Sequence, residues 1–311
     1  MDRIDAMQAF VAVADSHGFA PAARKLKLSP SAVTRLIAAL EERLGARLLQ
    51  RTTRSVTLTD TGSHYLERAR RILADVEEAE RAAEGERTRP SGRLVVSAPL
   101  GFGRLHVSPV MSAYLERYPE ASGELRLEDR IVSLVEDGID LAVRIGELAD
   151  SSLVARQVGE MRRIVVASPA YLKARGEPET LSEIASHDTI QFGSTAGLAD
   201  WRFVRDGKEV RVDYMPRFSS NSSDAAVQYA ASGGGLTRVM AYQAAEALNA
   251  GKLKIVLQKF EQPAVPIHIV YPTSRLLSAK VRAFIDLVVE TTDWNFGSGG
   301  TQPVVLRQTH A

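Results

Sequence analysis

The chain has no cysteine among its 311 residues, which excludes a disulfide framework and thiolate metal sites. Aromatic residues make up only 6%, too few to suggest a base-stacking platform for single-stranded nucleic acid. No apolar run approaches the roughly 20 residues that cross a bilayer, so no membrane partner is expected. The opening residues Met1-Asp2-Arg3-Ile4-Asp5 do not have the basic-then-apolar order of an export signal. A reducing cytoplasm is the expected location. Catalytic groupings are equally scarce. His17, His64, His106, His187, His268 and His310 have no metal-ligand spacing. Gly101-Phe102-Gly103 lacks the Lys-Ser/Thr ending of a phosphate loop, and there is no Gly-x-Ser-x-Gly elbow. The chain is therefore not expected to be an enzyme, and no catalytic residue, metal site or cofactor is assigned. What remains is a soluble globular composition, 45% hydrophobic and 25% charged, long enough for two or three domains.

The net charge of +1 conceals an uneven distribution. Between Ala20 and Val56 stand Arg24, Lys25, Lys27, Arg35, Arg43, Arg47, Arg51 and Arg54 against only Glu41 and Glu42. That stretch carries +6, so the other segments together carry −5. A local excess of this kind suits a phosphate-facing surface, or simply a solvated basic face.

The periodicity beneath that charge is helical. Ile4, Met7, Phe10, Val11 and Ala14 repeat at helical steps over 4–16, and His17-Gly18 stops the run. A short helix from Ala20 to Leu26 follows. Ser29 is then an N-cap with Pro30 at the first position of a third helix, Pro30 to Leu44, expected to bury Val33, Leu36, Ile37, Leu40 and Leu44. Ser31, Thr34, Arg35 and Ala38 lie on its other face. Two helices joined by a tight turn, the second polar near its start, form a helix-turn-helix that lays this end in the major groove. Two short strands, 48–51 and 55–58, with Thr52-Thr53-Arg54 between them, read as a basic wing.

Thr59-Asp60-Thr61-Gly62 caps a long helix running to about Glu84. Leu66, Ala69, Leu73, Val76 and Ala83 sit at alternating three- and four-residue steps, a coiled-coil seam that favours dimerisation over packing on its own chain. Residues 85–93 form a polar hinge, after which strands and helices alternate as in an α/β domain. A helix is expected over Ile131–Asp137, and the Gly-rich end from about Asn295 is expected to be frayed.

The order Ala22-Ala23-Arg24-Lys25-Leu26, Ser29-Pro30-Ser31-Ala32-Val33-Thr34-Arg35, Leu40-Glu41-Glu42-Arg43-Leu44-Gly45 and Leu58-Thr59-Asp60-Thr61-Gly62 resembles the LysR-type transcriptional regulators. So do Val96-Ser97-Ala98-Pro99-Leu100-Gly101, Gly138 to Gly146, and Ser232-Gly233-Gly234-Gly235-Leu236, so that residues 1 to 293 are covered. The resemblance implies an N-terminal winged helix-turn-helix over 1–58, all-α apart from its wing, and a linker helix over 59–88. It implies a C-terminal α/β regulatory domain over 89–295, built of two subdomains like a type 2 periplasmic binding protein. Lobe I is expected at about 92–161 and 267–293, lobe II at about 162–266, and a flexible tail at 296–311. Double-stranded promoter DNA, a small-molecule effector, further copies of the chain (a dimer through the linker helix, then a homotetramer) and RNA polymerase are the implied partners. Two positions depart from the pattern: many relatives carry Gln where this chain has Pro30 and Ser where it has Thr34. Gln can address adenine through two hydrogen bonds and Pro cannot, so a relative's base preference does not carry over.

The expected DNA contacts are Ser29, Pro30, Ser31, Thr34 and Arg35 on the recognition helix, and Arg51, Thr53 and Arg54 on the wing. Arg35 is the first choice for a guanine edge. Lys25 and Lys27 are as readily solvated charges. The expected effector contacts are Ser97, Pro99, Leu100 and Gly101 at a strand-to-helix turn whose free N–H groups suit an anion. Arg144 joins them as a counter-charge or as half of an interlobe salt bridge. Phe192 and Asn221 are placed near the lip of lobe II by the family pattern, and Thr237 and Arg238 follow the glycine turn. These cations lean toward a small organic anion. A solute-binding protein is disfavoured without an export signal, and regulatory lobes that serve assembly alone remain an alternative.

Overall fold

In the first unit, helix α1 (Arg3–Ser16) begins where the Asp2 carboxylate accepts the Ile4 N–H at 2.9 Å and ends at left-handed His17. The computed structural model describes residues 2–51, 56–83, 89–130, 132–148, 153–193, 199–273 and 278–296, and divides the chain into units Met1–Arg89 and Pro90–Ala311. Helices α2 (Phe19–Leu26) and α3 (Pro30–Leu44) follow, with Ser29 Oγ accepting the Ala32 N–H as the α3 cap. Strands β1 (Leu49–Arg51) and β2 (Val56–Leu58) pair antiparallel as the wing base, and α4 spans Asp60–Ala83. Phe10, Val13, Val33, Ile37, Leu40 and Leu48 form a core closed by Leu66 of α4. Leu36 is only half-buried and Leu44 is 42% exposed, contrary to the expectation that both are core. Leu44 is the last residue of α3, where the chain turns away at Gly45 (φ 63).

The expected coiled-coil seam is divided. Leu66 and Ala69 are buried, and Tyr65 stacks at 5.5 Å from Phe10, so the first turns of α4 pack on α1 of the same chain. Leu73 and Val76 remain half-exposed and Ile72 is 41% exposed, while the side chain of Ala83 lies outside the described residues.

In the second unit the strands run β3 (Gly92–Ala98), β4 (Ala121–Leu127), β5 (Leu141–Ile145), β6 (Leu153–Met161), β7 (Arg163–Ala167), β8 (Thr189–Phe192), β9 (Ala199–Arg205), β10 (Lys208–Tyr214), β11 (Pro216–Ser220), β12 (Leu236–Met240), β13 (Lys254–Val256), β14 (Val265–Pro272) and β15 (Trp294–Phe296). One six-stranded sheet has the order β15-β6-β14-β5-β3-β4, and a five-stranded sheet the order β11-β8-β12-β7-β13. The chain passes between them twice, from β6 to β7 and from β13 back to β14. Helices α5 (Leu100–Phe102), α6 (Ser108–Arg117) and α10 (Ala279–Thr291) belong to the first lobe. Helices α7 (Pro169–Arg175), α8 (Ser223–Ala231) and α9 (Ala241–Asn249) belong to the second. Lys280 of α10 is tied to the first sheet by a buried ion pair with Asp140 (3.2 Å), whose carboxylate also accepts the Val95 N–H.

Three expectations are corrected. The segment 132–138 is a turn and not a helix, closed by Asp137 N–H to Ser133 and Ile139 N–H to Leu134, with Ile131 outside the described residues. The chain does not fray from Asn295, and Phe296 does not belong to a flexible tail. Trp294 is fully buried and Phe296 5% exposed, and β15 pairs parallel with Gly159–Met161. Gly159 permits this, because a Cβ there would stand 2.3 Å from the Trp294 carbonyl oxygen. Val265 and Pro266, expected in lobe II, already pair with Met161 and Glu160 in the first sheet.

Helices α5 and α6 are joined by a π turn, Gly103–Val107. Pro109 offers no N–H to the preceding turn, so the regular ladder is interrupted here. The turn carries His106, 3% exposed, between the rings of Phe102 (4.7 Å) and Phe296 (5.1 Å). Burial lowers its pKa to about 4. A depressed histidine contributes stability above its unfolded value of about 6.5, and this is lost as the pH falls toward 4. The wild-type protein is expected to lose about 3 kcal/mol more than His106→Phe across that window. Thermal melts at pH 7 and pH 4 check this, and equal losses in the two proteins would refute it.

Candidate DNA interface and effector cleft

The exposed face of α3 is made by Ser31, Arg35 and Ala38, with Pro30 at its tip. Among the described residues Arg35 makes no hydrogen bond or ion pair. Ser29 is committed to the fold, its Oγ capping Ala32 and lying 3.0 Å from Ser31 Oγ. Thr34 donates its hydroxyl to the Pro30 carbonyl at 2.9 Å, leaving its methyl and two acceptor lone pairs free. Lys25 stands 3.9 Å from Asp15, which suits the solvated reading. Arg51 is the last residue of β1, its side chain outside the described residues, and Thr53 and Arg54 lie outside them entirely.

The wing is held to the recognition helix by one carboxylate and to the start of α4 by one threonine. Glu41 of α3 accepts the N–H groups of Leu48 and Leu49 at 2.8 and 3.1 Å. Thr59 Oγ1 donates to the Arg47 carbonyl at 2.8 Å and accepts the Gly62 N–H at 2.8 Å. Gly62 lies so close to the wing that a Cβ would stand 2.0 Å from the Leu48 carbonyl oxygen. Gly62→Ala is therefore expected to displace the wing and cost about 1–3 kcal/mol. Melting of the variant, with DNA binding measured beside it, checks this; an unchanged midpoint would show that the junction yields.

Of the effector candidates, Ser97 and Arg144 come together most clearly. Ser97 pairs with Ala142 across β3 and β5, and Arg144 lies two residues on, along the same face. Ser97 is fully buried, and its Oγ has no hydrogen-bond partner among the described residues. Arg144 donates to the Val132 carbonyl at 3.3 Å; burial lowers its pKa, opposed by the charge of Glu128. Pro99 is half-buried at the strand-to-helix turn. The Leu100 N–H, expected to be free for an anion, is donated to Asp129 Oδ1 at 3.1 Å. A carboxylate of the protein thus already occupies that helix start. Leu100 itself is 49% exposed, and a Cβ on Gly101 would stand 3.3 Å from the Tyr242 ring.

In the second lobe Phe192 ends β8, half-buried, and Asn221 is exposed just beyond β11. Thr237 is fully buried, its hydroxyl donated to the Ile190 carbonyl at 3.3 Å. Arg238 faces the opposite side of β12, since neighbouring strand residues alternate. It donates to the Arg202 carbonyl (2.6 Å) and Gln262 Oε1 (2.8 Å), and lies over the Phe203 ring. It is thereby held against the β9–β10 hairpin. Reading along the chain also misses Arg162 and Glu261. They sit on the two crossings between the lobes and join through two hydrogen bonds of 3.0 Å, both side chains 13% exposed.

Comparison with known proteins agrees with this layout. Residues 4–63 match the bacterial regulatory helix-turn-helix protein, lysR family, and residues 87–293 match the LysR substrate binding domain. The chain is 32% identical over 297 residues to the probable HTH-type transcriptional regulator LtrA of Klebsiella pneumoniae, covering 94% of this chain and 96% of that protein. It is 32% identical over 282 residues to the HTH-type transcriptional regulator CrgA of Neisseria meningitidis serogroup B, covering 90% and 94%. The solved structure of CrgA, a LysR-type transcriptional regulator from Neisseria meningitidis, superposes with a TM-score of 0.59 at 31% identity, over 92% of this chain and 97% of that one. The full-length structure of the Vibrio cholerae virulence activator AphB gives a TM-score of 0.57 at 28% identity, over 93% and 99%. The chain therefore belongs to the LysR family: it is a DNA-binding transcriptional regulator whose second half is an effector-binding domain.

Proposed function

We propose that the chain binds a pseudo-palindromic promoter site through α3 and the wing of two copies, joined along α4, and that a small ligand between the regulatory lobes biases how those copies are arranged. The observation that carries the DNA reading is the open face of α3, where Arg35 is exposed and unpaired among the described residues. Arg35 reads a base edge, with Ser31 and Thr34 beside it. Arg51, Thr53 and Arg54 hold phosphate or the minor groove, fixing register. The exposed Ile72 with Leu73 and Val76 favours α4 as the dimer seam. Further pairing into a homotetramer, contact with RNA polymerase and a cytoplasmic location follow from the family reading.

Arg35→Ala is expected to cost about 1–3 kcal/mol on the operator and to relax base preference. Arg54→Ala should weaken all sequences alike. Titration of operator and mutated operator duplexes at fixed salt separates the two, and an Arg35→Ala protein that kept full discrimination would overturn the assignment.

The effector is read as a small organic anion seated against Arg144 and Ser97 at the strand ends. This is supported by the shared face of those two residues and the unmet hydroxyl of Ser97. A ligand shifts the assembly only through unequal affinity for its two arrangements. A carboxylate effector at about a hundred times its dissociation constant should add roughly 2.7 kcal/mol to the unfolding free energy. Melts of the full chain against a panel of carboxylic acids should show one such shift, abolished in Arg144→Ala. A shift that survives both Arg144→Ala and Ser97→Ala would place the ligand elsewhere.

A further inference from the structure

A cavity lies between helical segments of the two lobes of the regulatory half. It measures about 760 Å3 and is walled by the π turn on one side and by α8 and α9 on the other. Of the nine effector candidates above, only Gly101 touches it. Its apolar lining includes Leu105, Val227, Ala231 and Phe296, with the Tyr242 ring beside them. Charge at the rim is balanced, Arg104 and Lys252 against Asp224 and Glu246. That volume falls within the range of roughly 300–1,000 Å3 typical of small-molecule pockets.

A buried side chain in the wall has unmet polar demand. His106 lines the cavity, is 3% exposed, and has no hydrogen-bond partner on either ring nitrogen among the described residues. A buried polar group left unpaired loses its hydration with nothing in return. The lowered pKa keeps the ring neutral at pH 7, so it presents one donor and one acceptor. A hydroxyl can satisfy either nitrogen, donating to one or accepting from the other. Of the rings around His106, those of Phe296 and Tyr242 also line the cavity, and they favour a flat aromatic body in edge or offset contact. A balanced rim selects against net charge. The π turn fits the same picture, since such turns recur at functional sites.

From this juxtaposition we infer that this cavity is a second ligand site, for a neutral hydroxylated aromatic compound whose hydroxyl meets the His106 imidazole. It is separate in place and in ligand charge from the anion site proposed at Arg144.

The test uses the full-length protein and 2-naphthol as probe, with calorimetric titration at pH 7. Saturable binding at one site per chain is expected. His106→Phe keeps the aromatic packing and removes both nitrogens, and should weaken binding about tenfold. Ala231→Trp fills the cavity from its half-exposed wall and should abolish binding. If His106→Phe proves unfolded by circular dichroism, Ala231→Trp decides alone. Absence of binding by the wild type up to the solubility limit of the probe would overturn the proposal, with water left to meet the needs of His106. Equal affinity in wild type and both folded variants would overturn it too, because the probe would then sit elsewhere. Neither failure bears on the carboxylate shifts that test the Arg144 site.

Discussion

The regulatory half depends on the bond between its two chain crossings. Among the described residues the chain passes between the lobes along two short segments, and Arg162 on one grips Glu261 on the other through two 3.0 Å hydrogen bonds in a largely water-excluded position. Paired in this way the two charges hold the crossings in register, while either one alone would be a costly buried charge. The Arg162 carbonyl also accepts the Ala241 N–H, so the same residue sets the start of α9. β14 and β6, paired along their whole lengths, extend that hold into the first sheet.

What the sequence makes legible depends on how local the determinants are. The head is legible in detail because caps and turns are local. Ser29-Pro30 and Gly45 bound α3 where capping chemistry places its ends. The Thr59–Gly62 junction is visible as a motif, but its reason is a contact with Leu48 that only folding reveals. The β9–β10 hairpin escapes a reading along the chain although its signal is present. Asp206-Gly207, both at positive φ, stands between alternating residues such as Trp201, Phe203, Val210 and Val212. β15 escapes it for a different reason. Trp294-Asn295-Phe296 adjoins a glycine-rich end, and nothing local shows that Gly159 leaves room for it. Arg238 is read beside Thr237 because order along the chain does not say which face of a strand each residue takes.

The cleft shows how the protein's own groups compete with a ligand. The start of α5, expected to present bare N–H groups to an anion, is already capped by Asp129. Glu128 lies within electrostatic reach of Arg144, and Arg130 pairs with Glu128. The first lobe's lip thus carries charges that balance one another. On the proposed reading, a carboxylate seated at Arg144 would take it from this arrangement. Such exchange is how a ligand acquires different affinities for two lobe arrangements, since it replaces internal contacts and does not merely add to them. Ser97, buried and without a hydrogen-bond partner among the described residues, would under the same reading be satisfied by a ligand without breaking an internal contact.

The division of α4 has a parallel consequence for the DNA-binding half. Had the whole seam been free, the helix could rotate relative to its own head and half-site spacing would be loosely set. Leu66, Ala69 and Tyr65 instead lock its first turns onto α1, and Arg70 adds a pair with Asp15. Only the later turns, with Ile72, Leu73 and Val76, are left for a partner. Head and first turns therefore move as one body. Any partner that fixes the later turns also fixes where Arg35 points, because no free joint separates them within α4.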